Sequence, residues 1–291
     1  MKFRAHETFS IRKGWLSKGM KHVHADPSVF VSKENNPMDV LGIGANMVKS
    51  LRYWLPMVGL SESPKGKGAQ YLTEFGKIVY SCDPYIEEMG TLWLLHYNLV
   101  KQLDNATAWN FFFNSFQLSE FGKEDFVVAL TNYAKMNAGI QPPIRSLEDD
   151  FNCIINTYMP RYKTAPEKDE PESNMECPLS ELGLVDFQNK KERTYKKAVP
   201  AAHMIDPLVA VAVIVDNAKG RTEIPLSEIQ NRPCNLGKTF NLDTITLLTV
   251  LNSAEQEGYV KVVRTAGLDV LHITTQNTFL ECVQQYYDRL S

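Results

Sequence analysis

Residues 41 to 56 carry the pattern that most limits how this chain can fold. Met47, Val48, Leu51, Trp54 and Leu55 recur at the three- and four-residue spacing of a single helical face. Gly42 and Gly44 precede the stretch and Pro56 follows it, so the spacing predicts a helix over 44–55 closed by the proline. Asn46, Lys49, Ser50 and Tyr53 then fall on the opposite face, with Arg52 at its flank. A helix with one apolar stripe must bury it against other elements.

The rest of the chain supplies mostly helices. A short one is predicted over Phe9–His22, weakened by Gly14 and Gly19. A stronger one covers 83–103, with Asp83 as its cap and Pro84 at its first position. Others are expected at Lys123–Met136 and Ser146–Tyr158. Phe111, Phe112, Phe113 and Phe116, together with Trp15, Trp54, Trp93 and Trp109, read as core. After the polar linker Ser61–Gly68, a strand leads into Leu72-Thr73, and Thr73 caps a small helix. That is a frequent ending for a winged-helix unit.

The C-terminal part repeats this logic. Helices are expected at Pro207–Val215, Pro225–Gln230 and Asp243–Glu257, with a loop at 236–240. Ile245, Leu248 and Leu251 are expected to face inward, and Gly258 to stop the third helix. Tyr259–Arg264 and Leu268–Ile273 alternate as strands joined at Thr265-Ala266-Gly267. A final helix covers Gln276–Leu290. The fold class is therefore mainly α with small β wings, two winged-helix-like units joined by a helical middle. The expected divisions are 1–104, 105–162, a linker or mobile loop at 163–178, and 179–291.

Composition excludes several classes. No apolar run approaches the roughly 18 residues of a membrane span, and the start of the chain lacks the apolar core of a signal peptide, so a cytoplasmic protein is expected. The five cysteines stand far apart with no CxxC pair, which argues for free, mostly buried thiols and against a zinc finger. Net charge is −3, but residues 1–80 hold 12 Lys/Arg against 6 Asp/Glu, and residues 81–192 hold 9 against 18. A basic first third on an acidic middle suits one phosphate-facing surface.

Three motifs carry a resemblance. They are His6-Glu7-Thr8-Phe9 with Arg12-Lys13-Gly14-Trp15-Leu16, the run Gly42 to Trp54, and Asp83-Pro84-Tyr85 with Thr91-Leu92-Trp93-Leu94-Leu95-His96. In this order the chain resembles the SspB-like family of bacterial DNA phosphorothioation systems, over about its first 100 residues. The resemblance implies a DNA-binding protein that nicks one strand. It also implies the partners of such systems: a cysteine desulfurase, an ATPase and a sulfur-transferring component, which together replace a non-bridging phosphate oxygen with sulfur.

Candidate site residues follow. Asn46, Lys49, Arg52 and Tyr53, with Arg12 and Lys13, are the expected DNA contacts, because such side chains hold phosphates and read base edges. Two glycines before a helix can also bare amides to one phosphate. Strand cleavage commonly uses Mg²⁺ or Mn²⁺ held by carboxylates near a base, and Glu7, Asp83 and His6 are the chosen candidates. Asp39, Glu87, Glu88 and His96 are further candidates, Asp83, Glu87 and Glu88 lying close to one helical turn. His6 and Glu7 could instead anchor the N-terminus against Arg12 or Arg52. Asp149-Asp150 and the acidic stretch 167–172 read as solvated surface, and His203 and His272 as isolated structural residues. No recognised nuclease signature is present. The rivals to a nickase are a non-catalytic adaptor that docks DNA or protein, and a transcriptional regulator.

Overall fold

The computed structural model describes residues 1–64, 68–160, 176–265 and 268–290. Most of the expected linker 163–178, with its acidic stretch 167–172, lies outside the described residues. So do residues 65–67 and the turn residues Ala266 and Gly267.

Helix α1 (Trp15–Ala25) starts later than the sequence pattern predicts, because Gly14 at φ 81° breaks helical backbone and leaves Phe9 to Lys13 as an arm. Helix α2 (Pro37–Leu41) is capped by Asn36 and leads into α3 (Ala45–Met57). Pro56 lies inside α3 instead of closing it. Its missing N–H would orphan the Arg52 carbonyl four residues back, and the Gln70 side chain takes that carbonyl at 2.8 Å.

Strands β1 (Ser61–Glu62) and β2 (Tyr71–Leu72) pair antiparallel. The Thr73 hydroxyl then accepts the Gly76 N–H at 2.9 Å and caps α4 (Glu74–Cys82), as the sequence predicts. Gly76 is required there, since a Cβ would sit 2.0 Å from the Leu60 carbonyl oxygen.

Helix α5 (Met89–Val100) is shorter than the predicted 83–103 and is buried along nearly its whole length. Asp83 ends α4 instead of starting α5. Helix α6 (Thr107–Asn114) brings in the phenylalanine cluster, with Phe112 fully buried. Strand β3 (Glu120–Phe121), α7 (Lys123–Ala138) and α8 (Ile144–Tyr158) follow.

After a 3-10 turn at Pro178–Leu182, strands β4 (Val185–Asn189) and β5 (Thr194–Lys197) join β3 in an antiparallel sheet of order β3-β5-β4. The sequence pattern predicts no strand in these segments. Helix α9 (Pro207–Ala218), strand β6 (Glu223–Pro225), and helices α10 (Leu226–Asn231), α11 (Leu236–Thr239) and α12 (Thr244–Gln256) come next. Strands β7 (Val260–Thr265) and β8 (Leu268–Ile273) form a hairpin, with sheet order β6-β8-β7.

The expected loop at 236–240 is thus a short helix, capped by the Asn235 side chain. Ile245 is 78% exposed, against expectation. The buried stripe of α12 is Leu247, Val250, Leu251 and Ala254, and a residue two positions before Leu247 points about 200° away from it.

Helix α13 (Phe279–Leu290) packs across α4 and α9. Its Tyr286 hydroxyl accepts the Gly90 N–H at 3.0 Å, and its Tyr287 hydroxyl lies 2.6 Å from that of Thr91. A Cβ on Gly90 would fall 2.3 Å from the Tyr286 ring, so only glycine lets the two helices approach this closely. Trp54, Trp93 and Trp109 are almost wholly buried and Trp15 nearly so. The five cysteines are free, Cys153, Cys177 and Cys282 buried. The molecule is mainly helical with small antiparallel sheets, and no helix among the described residues is long and apolar enough to cross a membrane.

Candidate nucleic-acid interface

The arm before α1 is tied down by polar atoms of α3 and α8. The Phe9 carbonyl accepts the Trp54 indole N–H at 2.9 Å and the Ser50 hydroxyl at 3.4 Å. Ser50 is therefore buried, not on the outer face of α3 as its position suggested.

His6 is fully buried. Its Nε2 lies 2.8 Å from Asp150 Oδ1, and its ring stacks on Trp54 and meets Trp109 edge-on. The same Asp150 oxygen accepts the Arg4 N–H at 2.8 Å, and Arg4 Nε lies 2.8 Å from Asp149. Asp149 and Asp150 are thus not solvated surface: Asp150 is 1% exposed and anchors the arm. Burial raises its carboxyl pKa, while the His6 hydrogen bond opposes that shift. The partner of His6 is this aspartate.

Arg4, Glu7 and Thr8 all have positive φ, of 55°, 51° and 69°. The arm therefore takes a bent path that non-glycine residues seldom adopt. Farther along, the Arg12 guanidinium lies 5.5 Å from the Phe9 ring and 5.3 Å from the Trp15 ring. Lys13 is exposed, and its backbone N–H donates to the Glu176 carbonyl at 3.0 Å.

Asp83 organises the opposite wall. Its carboxylate, 5% exposed, accepts the N–H groups of Glu87 at 2.9 Å and Glu88 at 3.1 Å. These three acids therefore do not share a helical turn. They lie on a loop closed by Asp83, with Glu88 as the cap of α5. The loop turns through Ile86, whose φ of 57° is unusual for a β-branched residue. It leaves Tyr85 72% exposed.

The arm and this loop enclose a pocket of about 210 Å³. Arg12, Lys13 and Ser17 line one side, Tyr85 and Glu87 another, and Glu181 completes it. Two of the three sequence motifs thus meet at one place, which their separation in the chain does not announce.

On α3, Asn46 and Lys49 are exposed and sit 3.4 Å apart, amide oxygen to ammonium. Arg52 is half-buried and donates to the Gly68 carbonyl at 3.3 Å. Tyr53 turns inward, its hydroxyl donating to the Asn105 carbonyl at 2.9 Å. Burial, then Asp150, pushes its pKa well up. It too departs from the outer face that helical spacing assigned it.

Among the described residues no three His, Cys, Asp or Glu side chains are grouped as a metal ion would need, so His6, Glu7 and Asp83 do not form one cluster. His96 is also committed inside, its Nδ1 2.8 Å from the Tyr158 hydroxyl and its Nε2 2.8 Å from the Thr239 carbonyl. His203 is exposed, and His272 lies 3.3 Å from Glu223.

A family model described as protein of unknown function (DUF4007) matches residues 3–287, and the chain belongs to that family. Among solved structures the fold is similar to a magnesium ion-bound SspB crystal structure, with a TM-score of 0.85 and 25% identity over 99% of this chain and 88% of that one. A second SspB crystal structure matches with a TM-score of 0.84 and 24% identity, over the same shares of the two chains. No curated protein matches the sequence.

Proposed function

We propose that this chain is the DNA-engaging component of a bacterial DNA phosphorothioation system, acting in the cytoplasm and nicking one strand to admit sulfur. Likeness to SspB and the three N-terminal motifs support the system and, with it, partnership with a cysteine desulfurase, an ATPase and a sulfur-transferring component. One observation carries the DNA contact. Arg12, Lys13 and the exposed ring of Tyr85 line one pocket, and cations beside an accessible aromatic hold a phosphate while stacking a base.

Lys49 and Asn46 on the exposed side of α3, with Arg52 at its flank, extend the surface for phosphate and base-edge contacts. Tyr53 serves by fixing α3 to the Asn105 backbone. We read α3, α4 and the β1-β2 pair as one winged-helix-like unit, and α9, β6, α10, α12 and the β7-β8 hairpin as another. Helix α12 carries no Lys or Arg, which supports the first unit as the one that meets the duplex.

One SspB structure is magnesium-bound. Magnesium takes one or two carboxylates and completes its octahedron with water and phosphate. Glu87 and Glu181, which line the pocket beside Arg12 and Lys13, fit that donor set and would hold it. The ion would supply charge neutralisation at a phosphate oxygen. Glu7, half-buried on the same arm as Arg12, is the catalytic candidate from the sequence to which we give the role of general base. His6 and Asp83 would act by holding the arm and the loop in place.

Their commitment to internal hydrogen bonds favours a second reading, a non-catalytic docking adaptor. A supercoiled-plasmid relaxation assay with Mg²⁺ or Mn²⁺ against EDTA separates the two. Metal-dependent open circles, lost in Glu87→Gln or Glu7→Ala, are expected. Intact supercoils alongside clear DNA binding would establish the adaptor.

A further inference from the structure

A second pocket, of about 740 Å³, opens between the end of α6, strand β5 and the α10-α11 corner. That is a size typical of small-ligand sites. Phe113, Phe116, Gln230, Lys197, Lys238 and Asp243 are among its walls.

Lys197 is the unusual member. Its Nζ donates to the carbonyls of Phe112 at 2.5 Å and Phe116 at 2.6 Å, and lies 4.9 Å and 5.7 Å from the centres of their rings. An ammonium has three N–H donors, so one remains beyond the two carbonyls. Lys238 stands near enough to repel it, and burial plus that repulsion lower the Lys197 pKa to about 7. Asp243, the acid on this wall, is occupied at the start of α12, accepting the Thr246 N–H at 2.7 Å. No salt bridge to Lys197 or Lys238 forms among the described residues. Capping the carbonyl end of α6 accounts for Lys197 alone. It does not account for a second cation that forms no direct ion pair, nor for the cavity that both line. The Gln230 Oε1 atom, buried without a partner, adds an acceptor for a ligand hydroxyl.

We propose that this pocket binds a phosphate group through Lys197 and Lys238, carried either by a small phosphomonoester or by the end of a nucleic-acid strand. An anion there relieves the repulsion between the two ammonium groups and favours protonated Lys197. Binding therefore takes up protons above neutral pH and weakens as pH rises. Lys197, Lys238 and Asp243 are the charged groups lining the pocket among the described residues.

Sulfate tests this, because it stays a dianion throughout the range. Calorimetric titration of the full chain with sodium sulfate should show saturable binding, about tenfold weaker at pH 8 than at pH 6 as the protonated fraction of Lys197 falls. Lys238→Gln, at a half-exposed position that leaves the core intact, should weaken it by tenfold or more at either pH. Lys197→Met should abolish the pH dependence if it folds, and Lys238→Gln decides the matter if it does not. AMP binding with the same Lys238 dependence identifies a small phosphomonoester. Binding of a 5′-phosphorylated oligonucleotide, but not its unphosphorylated twin or AMP, identifies a strand end. Absence of saturable binding by all these probes, or binding indifferent to Lys238→Gln, overturns the proposal. The pocket is lined by none of Arg12, Lys13 or Tyr85, so failure here leaves the nicking assay untouched.

Discussion

Replacing His96 should change how stability responds to acid. His96 is fully buried on α5, between the Tyr158 hydroxyl and the Thr239 carbonyl. One ring nitrogen must donate to the carbonyl while the other accepts from the hydroxyl, so the neutral imidazole fits and the cation does not. Burial lowers its pKa from 6.5 to about 4. A histidine whose folded pKa is depressed binds its proton more readily in the unfolded chain. Its contribution is fully present above pH 6.5 and is lost as pH falls toward 4.

At pH 5 the linkage relation with those two pKa values gives a loss of about 2 kcal/mol relative to neutral pH. His96→Gln offers an amide N–H and an oxygen in the same directions but cannot titrate. Urea denaturation of both proteins at pH 7.5, 6 and 5 cancels the carboxylates they share. The wild type should lose about 2 kcal/mol more than the variant between the extremes. Parallel stability curves would refute the assignment of a buried, neutral His96.

Asp150→Ala should cost about 3–5 kcal/mol, because His6 and the Arg4 N–H are left buried without an acceptor. Asp150→Asn keeps the acceptor and should cost less than about 2 kcal/mol. Equal losses in urea denaturation would show that the arm is not latched through this oxygen. Gly90→Ala should destabilise by about 1–3 kcal/mol through overlap with the Tyr286 ring. The penalty should largely vanish in a Tyr286→Ala background, and a double-mutant cycle with no coupling would exclude the contact as the cause. Lys49→Glu should weaken binding to all DNA sequences alike and lower the salt slope by about 1, read by anisotropy titrations at several salt concentrations. Unchanged affinity would remove Lys49 from the DNA surface.

Much of the architecture was legible where a single helical face met a core. The stripe of Val48, Leu51, Trp54 and Leu55 gave α3, and Thr73 marked the start of α4 because a cap acts within four residues. The reading failed where a distant element overrode local pattern. Ser50 and Tyr53 look outward by spacing, yet the Phe9 and Asn105 carbonyls draw both inward. Asp83 followed by proline reads as a helix start, but its carboxylate closes a loop and α5 begins later. Asp149-Asp150 looked solvated, since only contact with residues 4 and 6 makes a buried anchor of them. Strands β4 and β5 are short and polar and take their form from pairing with β3. Of the candidate interface, Arg12 and Lys13 were visible as residues. Their meeting with Tyr85, Glu87 and Glu181 depends on packing that no local spacing encodes. Lys197 carried no signal at all, because its burial is set by the carbonyls at the end of α6.

The seam between α5 and α13 also orders events at the ribosome. Thr91 meets Tyr287 across 196 residues of sequence. At about 5–20 residues per second, synthesis leaves α5 waiting roughly 10–40 s for its cover. Until then an almost wholly apolar helix, bearing Leu92, Leu94, Leu95 and Leu99, lacks part of its burial. The nascent chain is thus a natural client for chaperones during that interval. Slowing synthesis after α5 should increase aggregation of the wild type more than that of a circular permutant in which α13 is made first.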